Sequence, residues 1–276
     1  MSRIKTWDEL TIQDNFLFQK VMQNKRICKH LIECILQIKI KEITFPAAEK
    51  SIAVGHISKS IRLDVYVKDE TGRVFDIEMQ CSNGNDDELP KRTRYYQGLI
   101  DMDILTKGES YSQLKPSYII FICTFDPFEE NLPMYTFRNR CVEKDGLELG
   151  DQTTKLFLNC KGRSDQLNPD VAAFLRYVDG KAPKGNFTNE VNEEVIRVKQ
   201  QDEMRREYMT LAMELRNREE EGIRKGITQG ISQANQITIM NLMDMRMPVD
   251  SIARAIGQTP QYVESVIKQS KEKKEL

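Results

Sequence analysis

The sequence predicts an α/β fold in which helices surround one mixed sheet, followed by a helical region without strands. Three observations support this: an early helical pattern at 14–38, a β-hairpin at 62–80 followed by further apolar strands, and a charged stretch after 187 with no strand pattern. Helix, hairpin, helix and strand in this order are typical of an α/β core. We predict a core at 1–180, a helical arm at 187–235 and a tail at 236–276.

The composition excludes several classes of protein. The formal net charge is −1, yet 41 Lys and Arg residues are enough to bind a polyanion locally. No apolar run approaches the roughly 20 residues that span a bilayer, and the amino terminus lacks the hydrophobic stretch of a secretion signal. We therefore expect a cytoplasmic protein without a membrane partner. The six cysteines form no C-x-x-C pair and there are two histidines, which argues against a structural zinc site.

The first elements are helical. Apolar residues recur at helical intervals over 14–38 and are interrupted by the polar letters QNKR, which predicts two helices or one bent helix. Pro46 ends this pattern, and SIAVGHI at 51–57 predicts a first strand.

The segment RLDVYVKDETGRVFDIEMQ predicts a β-hairpin at 62–80. If the turn pairs Lys68 with Val74, Asp64 faces Glu78 across the two strands. Directly opposite Cβ atoms lie about 4.5–5.5 Å apart, so two carboxylates there repel each other unless something positive lies between them.

This polar face predicts a metal site. Hard cations such as Mg²⁺ prefer carboxylate and carbonyl oxygens, and a metal held there polarises a phosphodiester. Asp64 and Glu78 are the candidate ligands. The alternative is a solvated hairpin with its polar residues outside. Asp76 lies on the same face but one step from the expected pair, and we interpret it as a surface residue.

The following helix is amphipathic. In KRTRYYQGLIDMDIL, residues Tyr95, Leu99, Met102 and Ile104 form the predicted apolar face. Apolar strands at 117–123 and 155–159 follow, and Asn168 with Pro169 predicts the start of a helix at 169–178. A linker is predicted at 179–186.

The remaining residues predict helices only. Gly222, Gly226 and Gly230, the glycine stripe, recur every four residues, which in a helix lets another backbone approach closely; a frayed helix is the alternative. The tail predicts helices at 236–245, 249–256 and 260–269 with helix-turn-helix spacing. Two interpretations fit that spacing: a tail that binds specific DNA sequences, and helices that only pack against each other.

The residues also resemble a known family. DNFLFQKV, RLDVYV…FDIEMQ and RTRYYQGLI, in this order, are similar to the recombination-promoting nuclease and transposase branch of the PD-(D/E)xK nucleases. The resemblance covers residues 8 to 180, and it implies a restriction-endonuclease-like core followed by a helical arm and a helix-turn-helix-like tail.

The resemblance implies hydrolysis of DNA with Mg²⁺ or Mn²⁺ as cofactor. Asp64 and Glu78 would be catalytic metal ligands and the Met79 backbone carbonyl a third ligand. Gln80 takes the place of the motif's lysine; it carries no charge, although it can orient the attacking water.

Four further residues are candidates for supporting the site or binding DNA. Asp14 either approaches the site or caps the first helix. Arg92, Arg94 and Tyr96 contact either phosphates or a neighbouring strand.

Two functions follow. The first is a DNA endonuclease that promotes recombination or serves a mobile element or a defence system, and acts as a homodimer so that two sites address both strands. The alternative is a non-catalytic DNA-binding or oligomerising protein that retains the fold, with its function in residues 187–276.

Overall fold

The computed structural model describes residues 3–46, 50–52, 61–82, 88–105, 107–163 and 165–272. The chain forms two compact units. The first is Lys5–Tyr208, and the second comprises Met1–Ile4 together with Met209–Leu276. Among the described residues, no helix is both long and apolar enough to cross a lipid bilayer.

A six-stranded mixed sheet lies at the centre of the first unit. The strands of the first unit are β1 (Ile43–Thr44), β2 (Lys50–Ile52), β3 (Ile61–Leu63), β4 (Val65–Asp69), β5 (Val74–Gln80), β6 (Ser117–Cys123), β7 (Met134–Phe137) and β8 (Thr153–Asn159). β2 and β3 form a separate two-stranded sheet, and the other six strands lie in the order β1-β4-β5-β6-β8-β7. β5, β6 and β8 are parallel to one another, and the other pairs are antiparallel. The predicted α/β class with a mixed sheet is confirmed.

Helices precede, connect and follow these strands. They are α1 (Asn15–Met22), α2 (Lys25–Leu36), α3 (Glu88–Ile104), α4 (Pro169–Val178), α5 (Asn186–Lys199), α6 (Asp202–Asp244), α7 (Val249–Ile256) and α8 (Pro260–Glu272). Short 3₁₀ turns lie at Trp7–Glu9 and Tyr111–Gln113. α3 is part of the crossover from β5 to β6, which a parallel pair requires. Its apolar residues pack with the sheet residues Tyr66, Val74 and Phe121.

Several predicted elements are confirmed. The early helical pattern forms two helices rather than one, because the Asn24 side chain caps α2 by accepting from the Arg26 and Ile27 N–H groups. The Asn168 side chain caps α4 in the same way. The helices differ from the bounds predicted for the arm, 187–235: α5 packs against α1, α2 and α4 within the first unit, and α6 continues past the predicted end of the arm to Asp244. The predicted strand at 51–57 lies outside the described residues beyond Ile52.

The predicted strand at 62–68 is interrupted at Asp64. The residues before it, in β3, pair with β2, and those after it, in β4, pair with β5. Leu63 consequently packs in the cluster with Tyr66 and Val74, although strict strand alternation would place it on one face with Val65.

The second unit has its own small core. It consists of Ile239 near the end of α6, Ile252 and Ala253 of α7, and Val263 of α8. Gly257 ends α7 with a φ of 66°, in the left-handed region that favours glycine. The Tyr262 N–H donates to Thr259 Oγ1 at 3.2 Å, which caps the start of α8.

Candidate active site

The β4–β5 hairpin has the register that the sequence predicts. Lys68 pairs with Val74, and the ladder ends where Val65 pairs with Ile77. Asp64 lies one residue beyond that last pair, at the interruption between β3 and β4. The carboxylates predicted to face each other therefore lie at the open end of the hairpin.

Two hydrogen bonds hold Asp64 and Glu78 together. The Asp64 N–H donates to Glu78 Oε1 at 2.9 Å, and the Met79 N–H donates to Asp64 Oδ2 at 3.1 Å. The N–H and C=O of a strand residue point to the same neighbouring strand, so the Met79 carbonyl faces the side on which Asp64 lies. Two carboxylates and one carbonyl thus share one end of the sheet.

A third group reaches Asp64 from the first helix of the core. Gln19 of α1 donates from Nε2 to Asp64 Oδ1 at 2.8 Å, and Gln19 is itself buried. The sequence reasoning missed this residue. The available signal was a polar side chain between the apolar residues of DNFLFQKV, one of the stretches on which the family resemblance depends.

Arg92 of α3 supplies the positive charge at this site. Its Nη1 donates to Gln80 Oε1 at 2.9 Å and its Nη2 to the Tyr96 hydroxyl at 3.0 Å. Nη2 also lies 3.7 Å from Glu78 Oε2. The guanidinium carbon is 5.4 Å from the ring centroid of Tyr96 and 5.3 Å from that of Phe121, within the range of cation–π attraction.

The amide nitrogen of Gln80 also makes a hydrogen bond. Its Nε2 donates to the Ser82 carbonyl at 2.6 Å. With Arg92 on its oxygen and Ser82 on its nitrogen, the amide has a defined orientation at the end of β5.

Asp76 is fully buried, so the interpretation of it as a surface residue was wrong. It lies on the face of β5 that carries Val74, which packs in the cluster beneath α3. Neither of its carboxylate oxygens has a hydrogen-bond partner of normal geometry among the described residues. Burial raises the pKa of Asp76 well above the ordinary carboxyl value, the charge of Asp64 raises it further, and the charge of Arg92 opposes this shift.

Glu78 has the same kind of environment. Burial raises its pKa well above the ordinary value, and the charges of Asp76 and Asp64 raise it further. The Asp64 N–H and the Arg92 charge act in the opposite direction. One guanidinium thus faces three carboxylates, and such a site favours either a bound proton or a bound cation.

The donor set fits a hard divalent cation. Asp64, Glu78 and the Met79 carbonyl provide the oxygen ligands that Mg²⁺ prefers. Among the described residues, the oxygens of Asp64, Asp76 and Glu78 do not all lie within 4.8 Å of one another. Asp76 therefore does not converge with Asp64 and Glu78 as a third carboxylate ligand.

The remaining predicted residues lie in different surroundings. Tyr96 is buried and binds Arg92, whereas Arg94 is exposed on the same helix. Asp14 does not cap α1 with its side chain; its Oδ2 accepts from the Thr11 N–H at 2.8 Å and from Lys5 Nζ at 2.9 Å.

The predicted apolar face of α3 needs correction. Tyr95 is 39% exposed and Met102 57% exposed, while Tyr96 and Ile100 are buried instead. The buried face of α3 is shifted from the predicted one because the helix also covers the polar Gln97, which exchanges hydrogen bonds with Ser117 of β6.

The family model of the PD-(D/E)XK nuclease family transposases matches residues 15–222. The chain belongs to this family. The matched range includes α1, the whole mixed sheet and α3, and with them every group of the site described above. A search of curated proteins and a search of solved structures both find no match.

Membership of the PD-(D/E)XK nuclease family indicates an enzyme of nuclease type with DNA as the implied substrate, and these nucleases generally use divalent metals. The family's name contains a lysine two residues after its second acidic residue. Here that position is Gln80, and the guanidinium of Arg92 lies 2.9 Å from its oxygen. The positive charge that the motif lacks in this chain is thus provided by the next helix.

Proposed function

We propose that the protein is a metal-dependent DNA endonuclease that hydrolyses phosphodiester bonds at the Asp64–Glu78 site. The observation that carries this proposal is the pair of hydrogen bonds, 2.9 and 3.1 Å long, that hold these carboxylates side by side at the open end of the hairpin. Asp64, Glu78 and the Met79 carbonyl would hold Mg²⁺ or Mn²⁺. When bound, such an ion activates a water molecule and neutralises charge on the phosphate.

Each nearby residue has a distinct part in this proposal. Gln19 orients the Asp64 carboxylate through its 2.8 Å hydrogen bond. Gln80 both donates and accepts hydrogen bonds, so it positions the attacking water without changing its own charge. Arg92 orients Gln80 and offsets part of the negative charge of Glu78. A phosphate bound next to Arg92 would contact a positively charged guanidinium, whose parallel N–H groups can donate two hydrogen bonds to it.

The biological setting and the assembly are also proposals. The family description as a transposase supports promotion of recombination, or service to a mobile element or a defence system. The homodimer is supported by the glycine stripe, where a Cβ atom would meet nothing within 4 Å. Ile223, Ile227 and Ile231 beside it are exposed at intervals of four residues. A second copy of the helix would bury these apolar side chains.

Plasmid nicking tests the proposal. Purified protein is incubated with supercoiled plasmid in Mg²⁺, Mn²⁺ or EDTA, beside Glu78→Gln, which keeps the shape but removes the charge. We expect metal-dependent nicking that falls by about 100-fold or more in the variant, since even groups that only support a metal ligand contribute about 10–100-fold. Glu130→Gln, an exposed carboxylate of the same unit, is the matched control and should nick normally.

The alternative function predicts a different result. If no metal supports nicking, while DNA binding persists both in EDTA and in Glu78→Gln, the endonuclease proposal fails. Residues 187–276 would then carry a DNA-binding or oligomerising function, and the compact core of α6, α7 and α8 supports testing them for it.

A further inference from the structure

We propose a second metal site, formed by His30, Cys34 and Asp170, that binds Zn²⁺ or a similar transition-metal ion between two helices of the first unit. These residues lie on α2 and α4 and take no part in the proposed nuclease chemistry.

The ligand atoms converge on a common point. His30 and Cys34 are one helical turn apart on α2, so their side chains share a face. Asp170 lies in the first turn of α4. His30 Nε2 is 2.9 Å from Asp170 Oδ2 and 3.4 Å from Cys34 Sγ, and all three atoms lie within 4.8 Å of one another.

Both contacts end on the same ring nitrogen of His30. A neutral imidazole nitrogen either donates or accepts a hydrogen bond, so Nε2 cannot donate to Asp170 and accept from the Cys34 thiol at the same time. A nucleophilic relay would need the thiol and the carboxylate on different ring nitrogens. A cation placed between the three atoms would instead satisfy all of them at once.

The distances suit a zinc ion. Zn–N, Zn–O and Zn–S bonds are about 2.0–2.3 Å, which places the ligand atoms of a tetrahedral site roughly 3.3–3.7 Å apart. The 3.4 Å separation of sulfur and nitrogen already matches this geometry. The 2.9 Å separation of nitrogen and oxygen requires the carboxylate to move by a few tenths of an ångström.

The surroundings hold the ligands in place and leave an opening. The His30 ring centroid lies 4.5 Å from that of Phe187, which restricts the imidazole. The side chains of His30 and Asp170 are 42% and 40% exposed. Solvent therefore reaches the site, so an ion can enter and a water molecule can complete the fourth position, as in zinc sites with three protein ligands.

The charge around the site is mainly negative. Two carboxylates, Asp170 and Glu33, and one ammonium group, that of Lys39, act electrostatically on Cys34. The same carboxylates attract a cation. On binding, Cys34 loses its proton to solvent and forms the sulfur–metal bond, with no change in oxidation state.

The ligand types select among metals. A thiolate and an imidazole suit Zn²⁺ and similar borderline ions, whereas Mg²⁺ and Ca²⁺ take oxygen ligands. The sequence argument against zinc considered C-x-x-C pairs, and it missed this set because Asp170 is 140 residues from His30. The site would join α2 to α4 and so stabilise the first unit.

Metal titration of the full chain tests this site. The protein is reduced with a phosphine, stripped of metal and kept in excess Mg²⁺, which occupies carboxylate sites but does not compete for thiolate. Zn²⁺ is titrated against a chromophoric chelator, and Co²⁺ spectra report thiolate coordination. We expect one tight equivalent of Zn²⁺ and a thiolate-to-cobalt charge-transfer band. Cys34→Ser should lose the band, and Asp170→Asn should bind about tenfold or more weakly.

A matched control and a second measurement keep the outcome clear. Cys141→Ser, at a half-exposed thiol outside the cluster, should bind Zn²⁺ as the parent does. Zn²⁺ should raise the melting temperature of the parent and of Cys141→Ser, and raise that of Asp170→Asn less, with far-UV circular dichroism showing that all are folded. The proposal is overturned if the parent takes up no tight Zn²⁺, or if folded Cys34→Ser retains the cobalt charge-transfer band.

Discussion

Replacement of Arg92 by methionine should destabilise the first unit by about 3 kcal/mol at neutral pH without divalent metal. The change removes the hydrogen bonds to Gln80 and Tyr96, and a hydrogen bond to a charged group contributes about 1.5–3 kcal/mol. Gln80 can bind water at the end of the strand, so the Tyr96 bond is the larger loss. Glu78 also loses its cation at 3.7 Å.

The Arg92–Glu78 ion pair contributes less to stability than a fully buried pair would. Breaking a buried pair costs about 3–5 kcal/mol, but the Arg92 side chain is 33% exposed and water screens its charge. We therefore count about 1 kcal/mol for the pair and about 2 kcal/mol for the hydrogen bonds.

The loss of stability in Arg92→Met should depend on pH. Burial raises the folded-state pKa of both Glu78 and Asp76, so the folded protein holds more protons than the unfolded chain above the ordinary carboxyl range. Stability therefore falls as the pH rises through the raised folded values. Arg92 limits this fall because its charge favours the ionised carboxylates. Its removal should cost least in acid, where both carboxyl groups are protonated, and more as the pH rises through the raised folded-state pKa values.

Urea unfolding in EDTA measures the effect. The single tryptophan, Trp7, is buried against Phe16 and Tyr208 in the first unit, so its fluorescence reports the unfolding of that unit. Arg94→Met, on the exposed side of the same helix, is the control and should change stability by less than about 0.5 kcal/mol. Mg²⁺ should restore part of the loss. An equal penalty at neutral and acidic pH, or an equal effect in the control, would refute the reasoning.

Gln19→Met removes the donor to Asp64 and should lower nicking about tenfold, or about 1.4 kcal/mol, with Trp7 fluorescence unchanged; undiminished nicking would show that Asp64 needs no such support. Gly162→Ala should destabilise the first unit by about 3 kcal/mol, measured by urea unfolding, because the new Cβ would lie 2.6 Å from the Leu132 oxygen; a stability equal to the parent's would contradict this packing. Alanine at all three positions of the glycine stripe should stabilise the helix of a monomer by about 1 kcal/mol per residue, which circular dichroism would follow. If the stripe makes a close contact in a homodimer, the same change should lower the mass measured by light scattering. An unchanged dimer mass would exclude such a contact at the stripe.

Much of the candidate site could be predicted because its hairpin is local in sequence. Alternation of side chains along a strand assigns each residue to a face, and the turn determines the register, so Lys68 was paired correctly with Val74. Asp64 and Glu78, 14 residues apart, were brought together by that register alone. α7 and α8 were likewise predicted from local spacing, whereas the helix predicted at 236–245 is the end of α6.

The residues that complete the site were decided by tertiary packing. Strand alternation says which face Asp76 occupies but not what covers it, and α3 buries it because parallel strands are covered on both faces. Gln19 reaches Asp64 across 45 residues, and Arg92 reaches Glu78 only because the crossover helix returns over the sheet.

The α/β class, the hairpin register and the carboxylate pair could be predicted from the sequence, since each depends on periodicity and turn chemistry within a short segment. The cation that faces the pair, the burial of Asp76 and the contact of His30 with Asp170, 140 residues away, follow instead from tertiary packing. Contacts between distant segments depend on how whole faces of helices and strands pack, and the pattern within one segment does not specify which partner its faces will contact.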